Sequence, residues 1–238
     1  ALRRKHLRSF TDTFEWFSML TGGLPEPYTF GRRVAAYLGT RPGQYDVIHD
    51  NQSLSYGLLD VQRAGTPVVA TIHHPITKDR DVAVAAVSGR LHRLARRRWY
   101  SFLAMQGRVA RRLPHLVTVP ASSRDDIISA FGVNGEVIDV IPNGVDTQAF
   151  HPMKRASPAL SGLRIITTAS ADAPLKGLAY LLHAFAQLRT KIHGIELTVI
   201  GPVDPSGPTA ALIDELKLKS FTTIRSQLQT HEIAQAYA

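Results

Sequence analysis

Cysteine is missing altogether from the 238 residues. That absence excludes disulfide scaffolds, zinc–thiolate sites, iron–sulfur clusters and thiol nucleophiles, and it suits a reducing compartment. No apolar run approaches the roughly 18–20 residues of a transmembrane helix. The opening Ala1-Leu2-Arg3-Arg4-Lys5 lacks both an initiating Met and a following apolar stretch, so the chain is expected to be cut at its start. Neither a G-x-G-x-x-G dinucleotide fingerprint nor a phosphate-cradling P-loop occurs, which weakens oxidoreductase and nucleoside-triphosphatase readings. Repeats of fixed period and low-complexity segments are also lacking.

What is present is ordinary globular material, 44% apolar and 20% charged, enough for one large domain or two small ones. The net charge of +9 is uneven: residues 1–120 hold 18 Lys and Arg against 8 Asp and Glu, and residues 121–238 hold 10 against 11. A basic first half serves nucleic acid, an anionic membrane or a phosphorylated substrate, and charge alone does not choose among them.

Short β-rich runs alternate with longer helical ones, the pattern of βα units on a parallel sheet. Strands are expected at Tyr45–Asp50, Thr66–His73, His115–Pro120 and Glu136–Ile141. Helices are expected near Tyr28–Leu38, Leu54–Ala64, Arg90–Leu113 and Ser122–Phe131, the third stopped by Pro114 and the last opened by Ser122 with Asp125. A second block begins at Leu163: strand to Thr168, helix Lys176–Thr190, strand Ile195–Gly201, helix Pro208–Lys219, strand Phe221–Arg225 and a helix from Thr230 to the end. The stretch between the blocks, with Pro152, Pro158, Ser161 and Gly162, reads as a linker. The expected architecture is α/β: a unit over 1–150, a hinge linker over 151–162 and the start of a second unit over 163–238, both Rossmann-like with parallel sheets and both incomplete.

Several segments together resemble glycosyltransferase family 4, nucleotide-sugar-dependent enzymes of GT-B architecture. The most specific is Val137-Ile-Asp-Val-Ile-Pro-Asn-Gly-Val-Asp146 followed by Phe150 and Pro152, similar to the family's IPNGVD stretch. Tyr45-Asp-Val-Ile-His-Asp50 and Pro67-Val-Val-Ala-Thr-Ile-His73 resemble two of its first-domain strands. Pro174-Leu-Lys-Gly-Leu178, with Leu181, Leu182 and Ala184, resembles a helix start, and Leu197-Thr-Val-Ile-Gly201 a second-domain strand. The resemblance runs from about Tyr45 to Ala238, and residues 1–44 match no motif.

That resemblance implies a retaining transfer of sugar from a UDP- or GDP-sugar to a hydroxyl acceptor, lipid-linked or polysaccharide. It implies neither a cofactor nor a metal, the nucleotide sugar being a co-substrate. His73 would line the reaction cleft as the catalytic-site residue. On the donor side Lys176 would hold the diphosphate at a helix start, where free N–H groups and the helix dipole already favour an anion, with Gly177, Gly201, Pro202, Ser170 and Ser226 around it. Asn143, Gly144 and Asp146 are expected to shape the hinge. Three departures stand out: Ser170-Ala171 where members often read Gly-Arg, Ser226 where a glycine is common, and no Glu-x7-Glu pair in the expected place. Glu196 and Asp204 have that spacing but flank a strand elsewhere. These departures favour the alternative of a non-catalytic GT-B remnant or partner subunit that binds nucleotide, a membrane surface or another chain. They also imply that the segment alone does not turn over.

Residues 90–112 carry eight arginines and no acid, with Leu91, Ala95, Trp99, Phe102, Val109 and Leu113 forming an apolar stripe. A surface helix packing that stripe on the sheet, a membrane-surface helix and a nucleic-acid-binding helix all fit the pattern. Arg93, Arg97, Trp99 and Arg108 are its candidate membrane or acceptor contacts. The partners expected for the whole chain are a nucleotide-sugar donor, a hydroxyl acceptor and an anionic membrane surface, without nucleic acid. The expected location is cytoplasmic, peripheral at the inner face of the membrane.

Overall fold

The computed structural model describes residues 7–152, 163–168 and 176–237. The chain divides into two compact units between Asn143 and Gly144. Of the linker expected over 151–162, residues 153–162 lie outside the described residues.

The first unit is a four-stranded parallel sheet in the order β1 (Ile48–Asn51), β2 (Val68–Thr71), β3 (Leu116–Thr118), β4 (Ile138–Val140). Helix α3 (Tyr56–Arg63) connects β1 to β2, and α7 (Ala121–Phe131) connects β3 to β4. Parallel strands need such crossovers, and the alternation read from the sequence is the signature of them. On β2 the side chains of Val68 and Ala70 are buried while Val69 and Thr71 are half-buried, the period of two expected of a strand. Leu58, Val61, Ile72, Val109, Leu116 and Ile127 complete the core around them, each such side chain worth roughly 1.5–3 kcal/mol of burial.

Two helices lie beyond the sequence expectation. Phe10–Leu20 forms α1, although its threonines and aromatics are poor helix formers. Ser9 caps it by accepting from Asp12 N at 3.2 Å, and Arg33 of α2 (Glu26–Gly39) pairs with Asp12 at 2.8 Å and with Glu15, so tertiary ion pairs and a cap outweigh propensity. Thr77–Ala85 forms α4 with no buried residue. Between α2 and α3 the backbones nearly touch. A β-carbon at Gly57 would fall inside the carbonyl of Gly31, and one at Gly31 would strike Ser55, so both positions require glycine for space.

The expected single helix over Arg90–Leu113 is two: α5 (Arg90–Trp99) and α6 (Leu103–Ala110), separated by a 3-10 turn at Tyr100–Phe102. The expected acidic opening of the helix after β3 is also corrected, because Pro120 precedes its first residue and the first turn holds no acid.

The second unit carries a three-stranded parallel sheet, β5 (Arg164–Thr168), β6 (Glu196–Ile200) and β7 (Thr222–Arg225), in sequential order. Helices α8 (Leu178–Arg189) and α9 (Pro208–Glu215) make the crossovers, and α10 (Thr230–Tyr237) follows β7. Leu182, Phe185, Ile195, Leu197, Val199 and Leu218 form its core.

Candidate functional site

Ligands of open α/β sheets bind beyond the carboxyl ends of the strands. In the first unit that edge is built around His73. The strand β2 ends at Thr71 rather than at His73 as the sequence suggested, so His73 and His74 both sit in the exposed connection to α4. The Nε2 of His73 lies 2.8 Å from Asn51 Oδ1, an oxygen that only accepts, so the two are hydrogen-bonded when Nε2 carries a proton. The backbone N–H of His73 donates to Gln52 Oε1 at 2.8 Å, and Gln52 Nε2 donates to the carbonyl of His74 at 2.8 Å. One glutamine amide thus extends the β1–β2 pairing past its last backbone rung, Asn51 beside Thr71.

The loop that follows Asn51 and carries Gln52 is strained. Gln52 and Leu54 both have positive φ, 62° and 46°, a conformation costing an L-residue roughly 1–2 kcal/mol. Compensation comes from buried groups. Asp50, 6% exposed, accepts from Leu54 N at 3.0 Å and from the Ser53 hydroxyl. Gln106 on α6 donates Nε2 to the carbonyls of Gln52 at 3.0 Å and Ser53 at 3.3 Å. Beside this network, His49 Nε2 meets Thr71 Oγ1 at 2.8 Å and His74 Nε2 meets Asp79 at 3.3 Å. The three histidines therefore have separate partners, and among the described residues no group of three His, Asp or Glu side chains converges as metal ligands.

The basic segment behaves differently in its two halves. Phe102, Val109 and Leu113 of the expected stripe are buried, whereas Leu91 is 80%, Leu94 60% and Trp99 42% exposed, and α5 buries none of its residues. Of the three readings that the pattern allows, the one in which the stripe packs inward fits Phe102, Val109 and Leu113 and does not fit α5. Arg97 and Arg108 line one groove of about 630 Å³ together with Arg80, Asp81, Tyr100 and Arg111. There the Arg80 guanidinium holds the Asp81 carboxyl below its ordinary pKa. Arg93 and Trp99 are not part of that groove, and Arg108 also donates to the Tyr56 hydroxyl at 3.2 Å. Among the described residues no helix is long and apolar enough to cross a membrane.

In the second unit, Lys176 is exposed just ahead of α8, which begins at Leu178 rather than at Lys176 as the sequence suggested. Gly177 is the N-cap with φ 69°, left-handed, while among the described residues a β-carbon there would meet nothing closer than Tyr180 at 3.9 Å. Glycine is needed here for backbone conformation and not for space. No side chain of the described residues caps α8, and a helix start of this kind suits an anion. Gly201 and Pro202 follow β6 and Ser226 follows β7, on neighbouring strands and the same sheet edge. The Gly201 N–H is already given to the Arg225 carbonyl at 2.8 Å, so this donor belongs to the sheet. Ser170 lies outside the described residues. Asn143 and Gly144 flank the division between the units, and Asp146 Oδ1 holds a turn by accepting from Gln148 N at 2.9 Å and Ala149 N at 3.1 Å.

These features can be set against known proteins. The family model described as Glycosyltransferase Family 4 matches residues 4–149. The chain belongs to glycosyltransferase family 4. An MMP alpha-(1->4)-mannosyltransferase from Mycolicibacterium hassiacum is 44% identical over 98% of this chain and 55% of its own length. A D-inositol 3-phosphate glycosyltransferase from Frankia alni is 28% identical over 86% of this chain and 52% of its own. The chain thus spans about half the length of the curated relatives it matches. Among solved structures, sucrose-phosphate synthase from Thermosynechococcus elongatus aligns with a TM-score of 0.64 at 17% identity, covering 100% of this chain and 54% of that one. Anabaena HepE in complex with UDP aligns with a TM-score of 0.62 at 17% identity, covering 86% and 54%. The α/β fold with parallel sheets is therefore the Rossmann-like one of GT-B glycosyltransferases.

As a family 4 chain it also shows what its sequence hid. The match begins at residue 4, so the motif-free opening with α1 and α2 is part of the family domain. Asp50, Asn51, Gln52 and Gln106 escaped notice because acids and amides carry no chemistry at a recognisable spacing. The one local signal was Asp50 followed by Ser53 and Leu54, the sequence of a side-chain-capped turn.

Proposed function

We propose that this chain forms the acceptor side and the beginning of the donor side of a retaining, metal-independent glycosyltransferase. It would move a sugar from a UDP- or GDP-sugar to a hydroxyl acceptor and release the nucleoside diphosphate and a proton. The 44% identity to a mannosyltransferase over nearly the whole chain carries this reading and makes mannose the first sugar to test. His73, presented at the strand edge by Asn51 and Gln52, lines the reacting groups. Lys176, ahead of the α8 N-terminus, supports the diphosphate as its bond to the anomeric carbon breaks. Gly177, Pro202 and Ser226 lie along the same donor edge, and Ser170 is assigned there from the sequence alone.

The test is nucleoside-diphosphate release by the native protein from GDP-mannose and from UDP-glucose with a hydroxyl acceptor, with and without EDTA. Release that EDTA leaves unchanged, with the α-anomer in the product, supports the proposal. Tight nucleotide binding without release supports the non-catalytic reading instead.

A second reading concerns α5, because its exposed Leu91, Leu94 and Trp99 stand among Arg90, Arg93, Arg96, Arg97 and Arg98. An anionic membrane surface accommodates both the arginines and the apolar side chains. Sedimentation with anionic against neutral liposomes checks it, and equal partitioning, or no loss in an Arg93→Glu, Arg97→Glu double variant, contradicts it.

A further inference from the structure

We infer that Gln106 is a positioning residue, which holds the strained loop 52–54 and through it fixes His73. Gln106 is 2% exposed, on the core-facing side of α6 next to Met105 and Val109. A polar amide in such a place is costly unless its groups are satisfied, and an apolar side chain would pack there without that cost. Its two hydrogen bonds both go to carbonyl oxygens, of Gln52 at 3.0 Å and Ser53 at 3.3 Å, so its orientation is fixed with the NH₂ toward the loop. Its own Oε1 accepts no hydrogen bond from the described residues. The side chain therefore gives up half of its hydrogen-bonding capacity to serve two carbonyls of one loop.

That loop is the part of the unit in which holding matters. Two left-handed L-residues, Gln52 and Leu54, relax toward ordinary backbone conformations unless neighbours oppose it. Asp50 restrains Ser53 and Leu54 from the strand side, and Gln106 restrains Gln52 and Ser53 from the helix side. Relaxation would carry away the Gln52 amide, which holds the His73 N–H and the His74 carbonyl, and the Asn51 oxygen, which fixes the His73 ring. The link from α6 to the imidazole is thus continuous: helix amide, loop carbonyls, loop side chains, histidine. Its catalytic consequence rests on the place given to His73 above, while its structural consequence does not.

The experiment compares Gln106→Met, nearly isosteric and unable to donate, with Val109→Ala, which opens a cavity on the same helix and removes no hydrogen bond to the loop. Both are made in the native full-length protein labelled at histidine. The first readout is the ring-nitrogen correlation of His73, which reports tautomer and environment. The second is the split between kcat and donor KM. Gln106→Met should move the His73 signal and lower kcat by about tenfold at nearly constant donor KM. Val109→Ala should lower thermal stability and leave the His73 signal in place. A Gln106→Met protein whose stability falls while its His73 signal stays put overturns the inference and returns Gln106 to the core. A His73 signal that moves in a protein whose wild type transfers no sugar upholds the positioning role and sinks the transferase reading. If Gln106→Met fails to fold, Gln106→Asn keeps the amide but retracts it by one methylene. A shifted His73 signal in that variant then supports the positioning role, and an unshifted one overturns it.

Discussion

The two sheet edges that carry candidate residues, one in each unit, are built on different plans. In the first unit His73 is gripped at ring and backbone by Asn51 and Gln52, and these stand at the entry to a loop fixed by Asp50 and Gln106. In the second, Lys176 stands exposed before its helix, and among the described residues the edge carries a left-handed Gly177, a Gly201 N–H spent on the sheet and a 3.2 Å hydrogen bond between the Thr168 and Tyr237 hydroxyls. The proposed roles fit this difference: a group that must be aimed is surrounded by side-chain hydrogen bonds, whereas a point charge proposed to face a diphosphate needs only a helix start and a flexible stem. The difference predicts that the first edge fails through geometry and the second through charge.

The largest effect should come from Gly57→Ala. Its new β-carbon collides with the Gly31 carbonyl and pushes α3, which begins directly after the loop, off α2. We expect a loss of about 3 kcal/mol in unfolding free energy by denaturant titration, with loss of the His73 geometry. An unchanged midpoint would mean that the first edge is not rigid.

Next is the contrast between the two functional side chains in the proposed reaction. His73→Ala should lower kcat about a hundredfold, in the range of a lost acid–base or orienting group. Lys176→Ala should instead raise the dissociation constant of the nucleoside diphosphate by about tenfold, about 1.4 kcal/mol, as fits one exposed charge–phosphate contact. Lys176→Arg should keep most of that affinity, while no substitution should replace His73. If the two alanine variants have the same kinetic signature, the proposed division between the edges is wrong.

Much of this was legible in the sequence, and the limits have physical reasons. The parallel order of strands was readable because each βα unit punctuates itself with a change from period two to longer helical runs. His73, Lys176 and Gly177 were singled out through family motifs, and of these Gly177 has the left-handed backbone that only glycine adopts freely. Helix α1 was missed because its stability comes from Arg33 on another helix. The break between α5 and α6 was hidden because one apolar periodicity runs through both, and periodicity does not show which stretch has a sheet to pack against. The supports of His73 were invisible because Gln106 lies 54 residues from Gln52 and nothing local marks the pair.

Smaller effects sharpen the comparison further. Gly177→Ala should cost about 1 kcal/mol, since the strain is conformational and the described residues leave open space around the site. It should reduce nucleotide affinity less than Lys176→Ala does. The smallest effect is a pH dependence. Hydrogen bonds from Arg33 and then Ser9 hold the Asp12 carboxyl below its ordinary pKa, so the folded form takes up a proton less readily than the unfolded one. The stabilising α1–α2 tie is complete above the ordinary aspartate value of 3.8 and is lost as pH falls through the lower folded value. Emission from Trp16 on α1, read in a Trp99→Phe background, should change over that acid range. Lys176-dependent nucleotide binding should be unaffected by an Asp12→Asn change.

The most direct test of the account is nucleoside-diphosphate release by the native protein supplied with GDP-mannose and a hydroxyl acceptor, compared among wild type, His73→Ala and Lys176→Ala. The account predicts steady release by the wild type, a collapse of kcat in the histidine variant and a weakened donor affinity in the lysine variant. Release that neither substitution alters would show that the chemistry lies elsewhere, and these two edges would not be the site.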